Sequence, residues 1–464
     1  MNVVIIGAGK LGTLLTKHLS QENHDVVIID KNSQVVDELV SEYDVKGYYG
    51  NGANYDTQIE AGVGLADLVI SVVSLDELNI FACLVAKKIG AKHTIARVRN
   101  PEYAKQISFM NQELGINLVI NPELDTAEEI SRMLRFPSAL KVETFANGKV
   151  ELIEIKVSEN SPLVGSTLMN IRNKTKIDIL VCAVKRNDEV IIPNGEFQIN
   201  AFDNIYVTAE AKEIIKFFKY LNLSKERSKR ILIVGGSKIA QYLTKDLNDL
   251  GLYVKVIDIN RDTCKRLSNL FPQLTIINGD ATNQKLLLEE GITTMDALIS
   301  LTGMDETNII ISSYAKTCNV EKIITKVNNS NYNLIIEQIG LNSIVSPKEI
   351  SSNNIVRFVR GLESSQGSEF LTLHRFVDNK VEALEFFIQT ETNYTNIPIK
   401  DLSFKDNILL ACIIRDNKVI IPQGKDYISR YDRIIIFTTN PYIKDVKDIL
   451  RWTNEWFFIL LVNY

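Results

Sequence analysis

The chain has 464 residues, 45% of them hydrophobic, and a net charge of −5. That length predicts several domains with sizeable cores, at roughly 100–200 residues each. The mild acidity leaves no electrostatic footprint for nucleic acid, which is excluded as a partner. The five cysteines, Cys83, Cys182, Cys264, Cys318 and Cys412, contain no C-x-x-C pair. They read as small buried residues in a reducing compartment, not as a disulfide framework. The N-terminus opens directly into a strand without a basic leader, and no apolar run reaches the roughly 18 residues a spanning helix needs. A cytoplasmic protein with at most a peripheral membrane connection is therefore expected.

Val3 to Ile6 is a short β-branched run that reads as a buried strand. Gly7, Gly9 and Gly12 follow at G-x-G-x-x-G spacing. Gly7 permits the tight turn, Gly9 lets a pyrophosphate approach the backbone, and Gly12 lets the next helix pack on the sheet. That helix starts near Lys10, with its free N–H groups facing the phosphates. Val26 to Ile29 form the second strand, and Asp30 at its end is placed to accept from a ribose 2′-hydroxyl. A 2′-phosphate is repelled there, which favours NAD over NADP.

Next come a helix over 33–42, a strand ending at Tyr49, a helix over 55–61 and a strand over 68–73. Asp76 reads as the N-cap of a helix running to Ile89. A strand over 94–97, a helix over 101–114 and a strand over 118–120 follow. This alternation predicts a parallel sheet covered on both faces, with ligand at the carboxyl ends of the strands. Asn51, Val73, Ser74 and Arg97 lie at such ends; Asn51 suits a ribose or base edge and Arg97 a phosphate. A helix over 122–135 connects onward. From Ala139 the pattern changes to short strands over 149–157, 179–184 and 190–192, with a hairpin turn at 186–189, closed by a helix over 211–221.

The chain then repeats itself. Gly7 and Asp30 return as Gly235 and Asp258, 235 − 7 = 258 − 30 = 228 residues later. Gly50-Asn51-Gly52 returns as Gly279-Asp280-Ala281, and Asp76-Glu77-x-Asn79 as Asp305-Glu306-x-Asn308. The Ile-Ile-Pro193 hairpin returns as Ile-Ile-Pro422, with Asp416-Asn417 at the turn. These later matches are offset by 229, so one residue was gained between Asp30 and Gly50 of the unit. The polar, basic stretch 224–230 reads as the seam. In the second glycine loop, Ser237 replaces the middle glycine and Ala240 the last. Serine places a Cβ and a hydroxyl where the pyrophosphate should approach, so this site binds only if that hydroxyl donates to a phosphate.

Hydride transfer needs an acid or base beside the reacting carbon. Of four histidines, His18, His24, His93 and His374, none pairs with an Arg or Asp in a way that suggests chemistry, and all read as packing or surface residues. No metal-ligand cluster, P-loop lysine or nucleophile elbow is present. An NAD-dependent oxidoreductase with an unrecognised site and a scaffold holding a permanent nucleotide are the competing readings.

The ordered set Gly7-Ala-Gly-Lys-Leu-Gly12, Asp30, Gly50-Asn51-Gly52, Asp76-Glu77-x-Asn79, Ala96-Arg-Val-Arg-Asn-Pro-Glu-Tyr103 and the two Ile-Ile-Pro hairpins resembles the tandem RCK (KTN) family of potassium-uptake regulators, over 1–451. The resemblance implies an α/β fold, a duplicated Rossmann-like doubly wound parallel sheet, each copy followed by a small α+β domain. The implied domains are 1–136, 137–223, 229–365 and 366–451, with an apolar tail at 452–464 that docks on its own domain or touches membrane or transporter. It also implies a non-enzymatic regulatory subunit, a homo-oligomeric ring under a membrane potassium transporter subunit (TrkH/TrkG or Ktr type), and NAD(H) or ATP/ADP as ligand. It puts the nucleotide on Gly7, Ala8, Gly9, Lys10, Leu11, Gly12, Asp30, Asn51, Val73, Ser74 and Arg97. The second-half counterparts are Gly235, Gly236, Ser237, Lys238, Ile239, Asp258 and Asp280.

Overall fold

A computed structural model describes residues 1–451 except 105, 188, 224–227, 364–367, 378–379 and 441–442. The apolar tail at 452–464 and most of the polar seam lie outside the described residues. In chain order the first part holds β1 (Asn2–Ile6), α1 (Lys10–Gln21), β2 (Asp25–Asp30), α2 (Ser33–Glu42), β3 (Lys46–Tyr49), α3 (Tyr55–Glu60), β4 (Leu68–Ser71), α4 (Asp76–Ile89), β5 (His93–Arg97), α5 (Pro101–Ala104), α6 (Ile107–Gln112), β6 (Leu118–Ile120) and α7 (Pro122–Arg135). Its strands pair in parallel in the order β3-β2-β1-β4-β5-β6. The order reverses between β1 and β4, which opens a crevice at their carboxyl ends.

The first small module follows, with β7 (Lys141–Phe145), β8 (Val150–Lys156), α8 (Leu168–Thr175), β9 (Leu180–Arg186), β10 (Glu189–Ile191), β11 (Asn204–Glu210) and α9 (Ala211–Tyr220). Its sheet is antiparallel in the order β10-β9-β11-β8-β7.

The second parallel sheet comprises β12 (Arg230–Val234), α10 (Lys238–Asp249), β13 (Tyr253–Asp258), α11 (Arg261–Leu270), β14 (Thr275–Asn278), α12 (Gln284–Glu289), β15 (Ala297–Ser300), α13 (Asp305–Thr317), β16 (Lys322–Lys326), α14 (Asn333–Ile339), β17 (Ser343–Val345) and α15 (Pro347–Glu363). Its order, β14-β13-β12-β15-β16-β17, is that of the first sheet. The last module has β18 (Ser368–Phe376), β19 (Val381–Ile388), β20 (Ile408–Arg415), β21 (Lys418–Ile420) and β22 (Arg433–Thr438), again antiparallel. The expected fold class, a tandem duplication of a doubly wound sheet plus a small α+β module, is the one observed.

The inserted residue can be placed. Helix α11 lies 228 residues after α2 and strand β14 lies 229 after β3, so the insertion sits between Leu270 and Thr275.

Several local expectations are corrected. The helix over 101–114 is two short helices, because the chain resets at Gln106, whose N–H bonds the Tyr103 carbonyl. Asp76 is not a cap. It is the first residue of α4, after Leu75, and its carboxylate accepts instead from the backbone beyond β5. Strand β4 stops at Ser71, short of Val73. Strand β7 was not anticipated, because it is buried on both faces and shows no clean alternation: Val142 joins one apolar cluster and Phe145 another.

The described chain forms two compact units. One holds both parallel sheets, Met1–Arg135 with Arg227–Val356. In it, Ala127, Ile130, Met133 and Leu134 of α7 lie in the core of the second sheet, against Ile231, Ile239, Leu243 and Leu247. The first half thus covers the second half's sheet with its own last helix. Reciprocally, His18 of α1 is buried and its Nδ1 lies 2.8 Å from Ser352 Oγ of α15. In the other unit the two antiparallel sheets share one core, with Phe145, Leu152 and Cys182 against Phe376, Cys412 and Phe437. The buried Glu385 accepts there from the Ala146 N–H at 3.2 Å and pairs with Arg433 at 2.9 Å.

Ile130 is fully buried among residues of the second half. Ile130→Ala should destabilise the unit by about 2–4 kcal/mol through transfer and cavity terms. Urea unfolding reads this, and an unshifted midpoint would contradict the exchanged-helix packing.

Candidate functional site

At the carboxyl ends of the first sheet lies a cavity of about 350 Å³, lined by Gly7, Gly9, Asp30, Asn51, Val73, Ser74 and Arg97 among others. Such a volume lies within the range of small-molecule sites. Gly7 leaves β1 at φ +103°, and a Cβ there would lie 2.9 Å from the Val73 side chain. A Cβ on Gly12 would lie 1.9 Å from the Gly7 carbonyl oxygen, so only glycine lets α1 approach this closely. A Cβ on Gly9 would meet nothing within 4 Å. The carboxylate of Asp30 closes the loop onto β2, accepting from Ala8 N–H at 2.6 Å and Asn32 N–H at 2.9 Å.

Gly9 is the N-cap of α1 and supplies no side-chain hydrogen bond. The first-turn N–H groups of α1 are therefore left for another acceptor. Opposite, Arg97 Nε is buried without a hydrogen-bond partner, and Nη1 reaches only the Val72 carbonyl at 3.5 Å. Burial, and then the neighbouring Arg99, pulls the Arg97 pKa below its usual value. Uncapped helix, open glycine and under-used guanidinium together suit an anion, with the Asp30 carboxylate positioned for hydroxyls.

The structure does not bring every expected residue to the cavity. Leu11 is buried in the core, Gly12 packs on Gly7, and Ala8 contributes its N–H to Asp30. Lys10 is exposed and lies near Glu306 of the other half; the Tyr332 hydroxyl, helped by this lysine, lowers the Glu306 pKa. Lys31, Gly50, Gly52 and Ala53 also line the cavity, although the sequence reading gives them no part in the site. The signal was present, since Lys31 follows Asp30 directly and the glycines flank Asn51.

The second half repeats the scaffold with altered chemistry. Gly235 takes φ +96°, and Gly236 N–H donates to Asp258 at 2.6 Å. Ser237, however, caps its own helix, accepting from Ala240 N–H at 3.4 Å. Asp280 stays exposed and accepts from the Thr282 N–H and hydroxyl. Lys326, in the place of Arg97, donates to the Thr302 carbonyl. Ile239 is core, and Lys238 lies near Glu77 and Glu123 of the first half. Glu123, at the start of α7, is partly buried, and that desolvation raises its pKa against the pull of Arg97 and Arg99.

Fold and cleft together define a duplicated Rossmann-type protein with small antiparallel modules and an open cleft at the carboxyl ends of its first sheet. The TrkA-N domain model matches residues 3–122 and 231–347, and the TrkA-C domain model matches 152–222. The chain is 32% identical to Trk system potassium uptake protein TrkA homolog 1 of Methanosarcina mazei, over 97% of this chain and 100% of that one. It is 30% identical to Trk system potassium uptake protein TrkA of Vibrio alginolyticus, over 97% and 99%. Among solved structures, the GsuK RCK domain superposes with a TM-score of 0.62 at 17% identity, covering 95% of this chain and 92% of that one. The GsuK channel bound to NAD superposes at 0.61 and 17%, covering 95% and 77%. The chain belongs to the TrkA family.

The two glycines make opposite predictions. Gly9→Ser should hold stability or raise it by a few tenths of a kcal/mol, because serine can cap α1 as Ser237 caps α10. Gly12→Ser should cost about 2–3 kcal/mol by forcing α1 off the sheet. Thermal melting of the two variants side by side checks this; equal effects would contradict the packing.

Proposed function

We propose that the protein is the cytosolic, nucleotide-sensing regulatory subunit of a Trk-type potassium uptake system. It takes NAD(H), or ATP/ADP in its place, in the first cleft and governs a membrane potassium transporter subunit of the TrkH/TrkG or Ktr type. The observation that carries this reading is the anion-facing first cleft, with α1 uncapped and Arg97 Nε unpartnered. It occurs in a chain aligned over 97% of its length with relatives named as Trk uptake proteins. A fold neighbour titled as a channel bound to NAD has the proposed ligand class. In this reading the phosphates lie over Gly9 and the start of α1, toward Arg97, and the ribose faces Asp30. The second cleft is the weaker site, because Ser237, Asp280 and Lys326 are already bonded to protein.

The role is sensing and not turnover. Both Asp30 oxygens accept backbone N–H groups, which suits a carboxylate that holds a ligand in place. Regulation then requires the nucleotide to bind two conformations with different affinity. A shift from 1:99 to 99:1 needs about 5.5 kcal/mol of preference, which several sites in a ring can share. A homo-oligomeric ring has support in exposed apolar residues at matching places in the two halves, Leu75 and Phe81 in the first and Met304 and Ile310 in the second. Among the described residues no helix is long and apolar enough to cross a membrane.

Deleting the gene should lower potassium uptake, and the wild-type protein should restore it while Asp30→Ala restores it poorly. Purified Asp30→Ala should bind NADH about tenfold more weakly, a loss of about 1.4 kcal/mol. Unchanged uptake on deletion, or steady consumption of NADH by the purified protein, would overturn the reading. Phe81→Glu with Ile310→Glu should lower the oligomer mass in light scattering; an unchanged mass would place the ring contact elsewhere.

A further inference from the structure

The cleft alone does not account for the repeated Asp-Glu-x-Asn motif, which opens α4 as Asp76, Glu77 and Asn79 and α13 as Asp305, Glu306 and Asn308. The last ladder pair between β4 and β5 is Ser71 with Ala96, and beyond it the two chains part. Asn79, with no exposed surface, fills the gap. Its Oδ1 accepts from Ser71 Oγ at 2.9 Å and from Val73 N–H at 2.8 Å. Its Nδ2 donates to the Val73 carbonyl at 3.0 Å and to the Arg97 carbonyl at 2.9 Å. All four hydrogen-bonding positions of the amide are used. One side chain thus continues the sheet where the backbone no longer can.

Neighbouring bonds act in the same sense. Asp76 accepts from Arg99 N–H at 2.9 Å and Asn100 N–H at 2.8 Å, and the Arg99 guanidinium donates back to the Ser74 carbonyl. Val73, Ser74 and Arg97 line the cavity, whereas Asn79 does not. In the other half Asn308 makes the matching set to Ser300, Thr302 and the Lys326 carbonyl.

We propose that Asn79 is the positioning residue of the first cleft: it fixes the Val73–Ser74 wall against Arg97, and so sets nucleotide affinity without touching the nucleotide. The proposal rests on the nucleotide reading given above. Asn308 supplies the control, because the same bonds there brace the other cleft.

The test titrates the full-length protein with NADH, read by its fluorescence, and melts each variant. Asn79→Asp removes both donors and should weaken binding about tenfold, whereas Asn308→Asp should stay within about twofold despite a similar fall in melting temperature. If Asn79 acts through Arg97, the double variant with Arg97→Ala should bind no worse than Arg97→Ala alone. Should Asn79→Asp not fold, Asn79→Ala, which has no side-chain donor, takes its place. Binding by Asn79→Asp that equals wild type, equal losses in the two Asn variants, or additive losses in the double variant would each overturn the proposal. A wild-type chain that takes up no NADH would defeat the nucleotide reading itself, and this proposal with it.

Discussion

The helix that ends the first parallel sheet does not serve that sheet alone. Ile130, Met133 and Leu134 of α7 are fully buried in the core of the second sheet. Removing three such side chains from water at about 2 kcal/mol each is comparable with the net stability of a whole domain. The two Rossmann halves are therefore one folding unit. Any movement of α7 is felt in both.

The exchange also ties helix α10 of the second half to the chain beyond β5 of the first. Asn121 accepts from Leu124 N–H at the head of α7 and donates to the Tyr242 hydroxyl of α10 at 2.8 Å. Helix α10 begins at Ser237 in the second glycine loop, and Arg99 lies two residues beyond Arg97 in the first cleft. The Tyr242 hydroxyl reaches the Arg99 carbonyl at 3.4 Å. A change at either loop can thus reach the other through the half-buried Tyr242 side chain. Duplication followed by divergence fits this arrangement, with one cleft open to an anion and its copy satisfied internally.

Much of this was legible in the sequence because the signals were local. Val3 to Ile6, the three glycines and Asp30 fix a turn, a helix start and a carboxylate within thirty residues, and the observed elements fall within a residue or two of those expected. The 228-residue repeat carried the duplication. Contacts distant in the chain were not legible. Nothing around Asp76 says that its carboxylate serves Arg99 and Asn100 and not its own helix, because that bond exists only once β4 and β5 are neighbours. Lys141 to Phe145 hides a strand because both faces are buried, one of them against the second module. Glu123 beside Arg97, Arg99 and Lys238 could not be read from any window of sequence.

The central claim is that nucleotide occupancy, and not nucleotide chemistry, controls ion flow. The most direct test is rubidium flux through the membrane partner reconstituted in vesicles with this protein, recorded while NADH is added and its absorbance followed. The account predicts that flux changes with NADH occupancy while the NADH stays intact. Flux indifferent to NADH, or flux that tracks its oxidation, would contradict it.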